Sequence, residues 1–214
     1  MKFRAHETFF IRKGWLYKGL KNVKKAPDVF VSKKKNPMDE LGIGANMVKS
    51  LRYWLQAVGL TTEPSSGARK QEVTKLGEII WENDKYMEEI GTLWLLHYRL
   101  ASNQENATAW YFFFNEFYYT EFTKEDFVIS LKNYIGMNSP NPSKDKKGFA
   151  DSSLESDFDC IINTYVPRAK SNPGKVHPEN NIDCPFGELG LIDILSKKNK
   201  IYKKAQPRKD DIHP

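Results

Sequence analysis

Polar side chains recur at helical spacing after residue 44, at four positions: Asn46, Lys49, Tyr53 and Gln56. Steps of three and four residues place such positions on one face of an α-helix. Asparagine and glutamine amides can form paired hydrogen bonds with adenine, while lysine and arginine can meet guanine or phosphate. The pattern therefore predicts a helix face that contacts double-stranded DNA, with Ala45 and Arg52 on its border.

Further basic side chains occur where a DNA backbone could be contacted. Arg69 and Lys70 lie in a loop between two strand candidates, and there they would meet phosphate or the minor groove. Phosphate neutralisation is also expected from three residues near the N-terminus: Arg12, Lys13 and Lys18. We predict no catalytic residue, no metal ligand and no cofactor.

A cluster of acidic side chains is compatible with a different chemistry. Asp151, Glu155, Asp157 and Asp159 follow one another closely, and two of them, Glu155 and Asp159, share a helix face. Carboxylates gathered in this way can hold a divalent cation, which would make the chain a metal-dependent nuclease. A solvated acidic helix face explains the same pattern, and we favour that explanation.

The histidines and cysteines indicate little chemistry of their own. Cys160, His177 and Cys184 are potential zinc ligands, but a structural zinc site needs four ligands, usually in close pairs. His97 lies in an apolar segment and is expected to be a hydrogen-bonded core residue. His6 fits either an acid–base group or the core.

Helix signals place the DNA-facing pattern on the second helix of a helix-turn-helix. A short helix at 37–41 begins with Asn36 and a proline, and the glycine-rich turn 42–44 leads into a helix of about 45–58. That helix has an inward apolar stripe: Val48, Leu51, Leu55 and Val58. Strand candidates at 60–62 and 72–74 and a helix capped by Thr74 complete the order of a winged helix-turn-helix.

The remaining segments are expected to be mainly helical. The stretch 3–11 looks extended, and apolar positions at helical steps follow it in 15–23. Residues 86–136 predict aromatic-rich helices, and 151–166 predict one more. The expected fold is mainly α, with a winged helix-turn-helix-like N-terminal part packed on an aromatic-rich helical part. The aromatic run 110–119 could stack on bases, but its spacing is more typical of a core.

Charged side chains are distributed unevenly along the 214-residue chain. Residues 1–75 carry 16 basic and 6 acidic side chains, a balance of +10, whereas residues 76–195 carry 10 and 19, a balance of −9. A basic block of this size favours a polyanionic partner such as DNA. We therefore expect a winged-helix-like basic domain at 1–84 and a helical domain with a loop-rich C-terminal segment at 85–214.

Composition excludes several classes of protein. Aromatic residues make up 13% of the chain, which is typical of a folded protein rather than a disordered one. The mean hydropathy is −0.61, and no apolar run reaches the roughly 18 residues of a membrane-spanning helix. The N-terminal residues lack the apolar run of a signal peptide, so a cytoplasmic protein without a membrane partner is the simplest expectation.

Long strings of the sequence resemble a bacterial family that is catalogued as domain of unknown function four thousand and seven. They are HETFFIRKGWLYKGL (6–20), LGIGANMVKSLRYWLQAVGL (41–60), GTLWLLHYRLAS (91–102), TAWYFFFNEF (108–117) and NNIDCPFGELGLI (180–192). Members of that family are encoded beside sulfur-transfer enzymes in DNA phosphorothioation and phage-defence clusters. The resemblance implies an accessory protein that works on or near DNA, and it carries over no catalytic residues. Members run longer than this chain, so no role is implied for residues after about 195.

These observations lead to one expectation and two alternatives. We expect a non-enzymatic double-stranded DNA-binding accessory protein of a DNA phosphorothioation or phage-defence system. The first alternative is a protein-interaction subunit that docks on a sulfur-transfer or nuclease partner. The second is the metal-dependent nuclease that would use the acidic cluster.

Overall fold

The computed structural model describes residues 1–138, 149–167 and 184–205, and within them helices predominate. The helices are α1 (Trp15–Lys25), α2 (Pro37–Leu41), α3 (Ala45–Ala57), α4 (Lys75–Asn83), α5 (Ile90–Ala101), α6 (Thr108–Asn115), α7 (Lys124–Asn138) and α8 (Asp151–Tyr165). The strands are β1 (Thr61–Thr62), β2 (Glu72–Val73), β3 (Glu121–Phe122), β4 (Ile192–Ser196) and β5 (Ile201–Lys204). A 3-10 helix spans Pro185–Leu189. No helix in these ranges is long and apolar enough to cross a bilayer.

The predicted succession of two helices, a hairpin and a third helix is present from α2 to α4. The Asn36 side chain accepts a hydrogen bond from the Met38 N–H at 3.1 Å, and Gly42 ends α2 with a φ of 60°. Strands β1 and β2 pair in antiparallel fashion. Thr74 caps α4 by accepting the Gly77 N–H at 3.0 Å. The caps and glycines recognised in the sequence therefore fix these boundaries.

Helix α3 is held from two sides by the N-terminal third of the chain. Its stripe of Val48, Leu51 and Leu55 is buried as predicted, and α1 packs across it. Gly19 of α1 makes this approach close, because a Cβ at that position would lie 2.7 Å from the Leu55 Cδ1. On another side, Gln71 next to β2 donates to the Arg52 carbonyl at 2.9 Å. The hairpin is thereby fixed to the helix that precedes it.

The prediction of an extended stretch at 3–11 is wrong. Residues 4–8 form a bend and turns, and Arg4, Glu7 and Thr8 have φ values of 52°, 51° and 70°. These turns place the His6 side chain inside the protein, where it contacts α8. The local pattern of apolar residues could not reveal that His6 is buried, because its partner is a carboxylate more than 150 positions away in the chain.

Helices α5 to α8 enclose a core of aromatic rings. Trp110, Phe112, Phe113 and Phe117 are buried, so most of the aromatic run forms core as expected, while Tyr118 and Tyr119 are exposed. Helix α7 begins with a capping pair: Thr123 donates to Asp126 Oδ2, and the Asp126 N–H donates to the Thr123 hydroxyl. The predicted helix at 151–166 corresponds to α8.

A second sheet lies partly in the C-terminal segment that was expected to be loop-rich. Strands β4 and β5 form a hairpin that β3 extends in the order β3-β5-β4. Residues 139–148 and 168–183 lie outside the described ranges. Buried apolar side chains from both sides of residue 84 belong to one cluster, and the proposed domain division at that residue stays a prediction.

Candidate nucleic-acid interface

The first turns of α3 are open to solvent and carry two of the predicted contact residues. Asn46 and Lys49 are both exposed, and the Lys49 Nζ lies 3.5 Å from the Asn46 Oδ1. The described part of the chain places no carboxylate within ion-pair distance of Lys49. An amide and an ammonium group are thus both available to an outside partner at the start of this helix.

The second half of the predicted contact face is occupied by the protein itself. Arg52 donates to both carboxylate oxygens of Glu63, from Nε at 2.8 Å and from Nη2 at 2.6 Å. Gln56 donates to the Arg52 carbonyl at 3.1 Å and to Glu63 at 3.4 Å. The assignment of Arg52 and Gln56 as DNA contacts is therefore corrected, because both side chains are used to hold the loop after β1 against α3.

Glu63 is the centre of this arrangement, and no pattern in the sequence indicated that role. Its side chain is 5% exposed and also accepts a hydrogen bond from Arg69 Nε at 3.0 Å. Burial would raise the pKa of the Glu63 carboxyl, but the hydrogen bonds and charges of Arg52 and Arg69 outweigh it and hold that pKa below its ordinary value. We call Glu63, Arg52, Arg69 and Gln56 the Glu63 cluster.

Tyr53 does not belong to the surface at all. It was predicted on the outward face, but it is 7% exposed and packs against Trp54, with ring centroids 5.0 Å apart. Burial raises the pKa of the Tyr53 hydroxyl well above its ordinary value, and the nearby Asp157 and Cys160 raise it further. Both of those residues belong to α8, so this side of α3 faces the helical part of the molecule and not an outside partner.

The remaining predicted contacts lie at two other places. Lys70 is exposed beside Arg69 in the loop between β1 and β2, and Arg69 keeps 62% of its side chain exposed despite its bond to Glu63. At the start of α1, the Arg12 guanidinium lies over the rings of Phe9 and Trp15, at 5.7 and 5.2 Å. Lys13 is exposed and Lys18 is half-buried.

The acidic residues of α8 do not form a metal site. Asp151 pairs with Lys132 at 2.7 Å and Asp159 pairs with Lys124 at 2.7 Å, both at the surface. Asp157 points to the opposite side and is 1% exposed. Residues two apart on a helix face in different directions, which is why the cluster does not converge. Within the described ranges no group of three or more His, Cys, Asp or Glu could hold a metal ion.

His6 and Asp157 form a buried pair that sequence analysis left undecided. The His6 Nε2 lies 2.8 Å from the Asp157 Oδ1, and the Thr8 N–H donates to the His6 Nδ1. Because Nδ1 accepts, Nε2 carries the proton and donates to the carboxylate. Burial raises the pKa of Asp157, while bonds from His6 and from the Arg4 N–H lower it, with a net rise. The pair ties the N-terminal turns to α8.

The other candidate residues are structural or lie outside the described ranges. His97 is 8% exposed and bonds to the Tyr165 hydroxyl at 2.8 Å, as expected for a core histidine. Burial lowers its pKa to about 4. Cys160 and Cys184 are buried, and His177 lies outside the described residues.

The chain as a whole matches one protein family. The family described as "Protein of unknown function (DUF4007)" matches residues 3–214, so the chain belongs to that family. The family suggested by the sequence strings is thereby confirmed. No functionally curated protein matches the chain.

Two solved structures are similar to almost the whole chain. One, described as "Magnesium ion-bound SspB crystal structure", has a TM-score of 0.81 at 28% identity, and the second, "SspB crystal structure", has a TM-score of 0.78 at 29% identity. Both comparisons cover 99% of this chain, which spans 62% of the length of each SspB chain. The described residues offer no carboxylate cluster that fits a magnesium ion, so we assign no chemistry through that metal.

Proposed function

We propose that the chain is a non-enzymatic, double-stranded DNA-binding accessory protein of a bacterial DNA phosphorothioation or phage-defence system. One observation carries the proposal: the start of α3 presents Asn46 and Lys49 exposed at the surface, 3.5 Å from each other and directly after a tight turn from α2. In a winged helix-turn-helix the N-terminal residues of the second helix are those that reach base edges. The open end of α3 is thus the end that would enter the major groove.

The hairpin after α3 would act as the wing. Its loop carries Arg69 and Lys70, which suit contacts to phosphate. In this proposal Glu63, Arg52 and Gln56 do not touch DNA, whereas Arg69 bonds to Glu63 and keeps 62% of its side chain exposed for a phosphate. Glu63 fixes the loop to α3 through two hydrogen bonds from Arg52, so that the wing and the start of the helix keep a set separation.

Two further observations support the biological setting. The first 75 residues have a charge balance of +10, which favours attraction to a duplex at low salt. The similarity to SspB, and the neighbourhood of sulfur-transfer enzymes that the family resemblance implies, favour a role beside DNA sulfur modification. Because the SspB chains are longer, the activity of the whole relative is itself part of the proposal.

A mobility-shift titration with plain and phosphorothioated duplexes tests this function. We expect the double variant Asn46→Ala/Lys49→Ala to lose about tenfold or more in duplex affinity, since each base or phosphate contact contributes about 1–3 kcal/mol. Lys198→Ala, an exposed lysine in the turn between β4 and β5, is the matched control and should bind like the wild type. Unchanged affinity in the double variant would contradict the proposal.

The same preparation distinguishes the two alternatives. Stable co-purification with a sulfur-transfer or nuclease protein, together with no shift of any duplex, would favour a docking subunit. Conversion of supercoiled plasmid to open circles in the presence of Mg²⁺, but not with a chelator, would contradict the non-enzymatic part of the proposal. A nuclease result that survives Asp151→Asn and Asp159→Asn would also show that α8 is not its site.

A further inference from the structure

We propose a second nucleic-acid surface, formed by Tyr17, Trp81 and Tyr86, that stacks on the unpaired bases of single-stranded DNA. We call these three side chains the aromatic platform. Tyr17 belongs to α1, Trp81 lies near the end of α4, and Tyr86 follows that helix. The platform is therefore built on elements other than α3. The inference therefore goes beyond the duplex contact at Asn46 and Lys49 and does not depend on it.

The three rings form one connected surface. Tyr17 and Trp81 are parallel to within 5°, with centroids 5.7 Å apart, and Tyr86 lies 4.8 Å from Tyr17. Tyr86 is 52% exposed, and the other two rings are half-buried. Large aromatic rings of the core are almost fully covered in this protein, so this group stands apart from the rings around Phe113.

Each ring of the platform has a lysine over it. The Nζ atoms of Lys21, Lys24 and Lys85 lie 5.8, 5.7 and 5.1 Å from the centroids of Tyr17, Trp81 and Tyr86 respectively. Lys24 is paired with Glu78, but the described residues place no carboxylate within ion-pair distance of Lys21 or Lys85. An exposed cation–π contact is weak, so these ammonium groups can move to a phosphate when one arrives.

Alternating rings and cations suit a single strand better than a duplex. Bases in a duplex are already stacked and hidden, whereas an unpaired strand offers both its base faces and its phosphates. A depression of about 400 Å³ adjoins the platform and is lined by Trp81, Lys85 and Tyr86, together with the acidic Glu82 and Asp84. Tyr17 and Tyr86 also line a neighbouring cavity of about 100 Å³ whose charges are mixed, with Arg12 and Lys13 beside Glu88 and Glu188. Stacking on the rings therefore carries the proposal more than the charge of these linings does.

Fluorescence anisotropy with a labelled oligothymidylate of about 12 nucleotides tests the platform directly. We expect Trp81→Ala to weaken binding about tenfold or more, because one base–aromatic stack contributes about 1–3 kcal/mol. Tyr86→Ala should show a similar loss and is the safer variant for folding, since its ring is half exposed. Tyr98→Ala, at a 65% exposed tyrosine outside the platform, is the matched control and should bind like the wild type.

An abasic oligonucleotide of equal length separates stacking from charge attraction. It keeps the phosphates and lacks the bases, so the wild type should bind it as weakly as Trp81→Ala binds oligothymidylate. Equal affinity of the wild type for both strands would overturn the proposal, and so would unchanged binding in correctly folded Tyr86→Ala. The Asn46→Ala/Lys49→Ala variant should still bind oligothymidylate, so failure of one surface is distinguishable from failure of the other.

Discussion

Glu63 decides, at the scale of single residues, which of the predicted DNA contacts are available. Its carboxylate binds Arg52 and Arg69, two of the basic residues that the sequence assigned to DNA. A helical pattern read from one segment cannot show this, because Glu63 comes from the loop that follows β1. The sequence correctly predicted that Asn46 and Lys49 are exposed. Both precede the part of α3 against which the loop after β1 is held.

Removing the Glu63 charge should destabilise the fold. Arg52 has only about a fifth of its side chain exposed, and Glu63→Gln leaves its guanidinium without a carboxylate partner. We therefore expect the unfolding free energy to fall by about 1–3 kcal/mol. Urea denaturation measures this loss. Glu72→Gln, at an exposed carboxylate on β2, is the control and should change stability little. Equal stability of both variants would contradict the role given to Glu63.

The lowered pKa of Glu63 predicts that the stability of the protein depends on pH. The folded protein holds the pKa of Glu63 below its ordinary value, so the unfolded chain takes up the proton first as the pH falls. The stabilisation is therefore complete above the ordinary carboxyl pKa and is lost as the pH falls through the folded value. We expect the stability gap between wild type and Glu63→Gln to be constant from pH 7 to 6 and to shrink below about pH 4. A gap that widens in acid would contradict this.

The buried pair of His6 and Asp157 leads to a second pH effect, again a mutational loss that becomes smaller in acid, although the pKa of the Asp157 carboxyl is raised and not lowered. His6→Ala strands a carboxylate that is 1% exposed, and we expect a loss of about 3 kcal/mol at pH 7. Because burial already raises the pKa of Asp157, acid protonates the stranded carboxyl, and the loss should become smaller from pH 7 to 5. Unfolding free energies at the two pH values measure the change. The stability of His6→Ala/Asp157→Asn, which has no charge at these positions to protonate, should depend on pH less than that of His6→Ala over this range.

At the scale of elements, local signals predicted α1 to α4 well and the rest less well. Asn36, Thr74 and the glycines at 42 and 59 are boundary signals that act within a few residues, so a single sequence reveals them. The sheet β3-β5-β4 joins segments about 80 residues apart, and nothing near residue 121 indicates its partner. Tyr53 was misplaced for the same reason, since α8 covers it from a distance in sequence.

Glycine substitutions test whether α4 docks on the hairpin as described. A Cβ at Gly77 would lie 2.4 Å from the Leu60 carbonyl oxygen, so Gly77→Ala should destabilise by about 1–3 kcal/mol despite a better helix propensity. Gly136, near the end of α7, has no neighbouring atom within 4 Å of an added Cβ. Gly136→Ala should instead stabilise by up to about 1 kcal/mol. Thermal or urea denaturation measures both changes in stability. A Gly77→Ala variant that is more stable than the wild type would contradict the close packing of α4 against Leu60.

At the scale of the whole molecule, both proposed surfaces use helices of the basic N-terminal third, while Trp81 and Tyr86 of the platform lie beyond it. The duplex contact uses the start of α3 and the hairpin loop, and the aromatic platform uses α1 and the end of α4. The helical part contributes the aromatic core and, through Asp157, the attachment of the N-terminal turns. The charge balance pointed to a polyanion from the sequence alone, whereas the platform required coordinates, because its rings come from residues 17, 81 and 86.

Site-directed crosslinking from the start of α3 tests the central claim most directly. Both native cysteines are buried, so a thiol introduced by Asn46→Cys can be labelled selectively with a photoactivatable reagent. We predict that this position crosslinks to a duplex under ultraviolet light, and that the yield falls as salt is raised. A thiol introduced by Tyr98→Cys on α5 should crosslink little. Equal yields from the two positions, or no crosslink from position 46 to any duplex, would contradict the account.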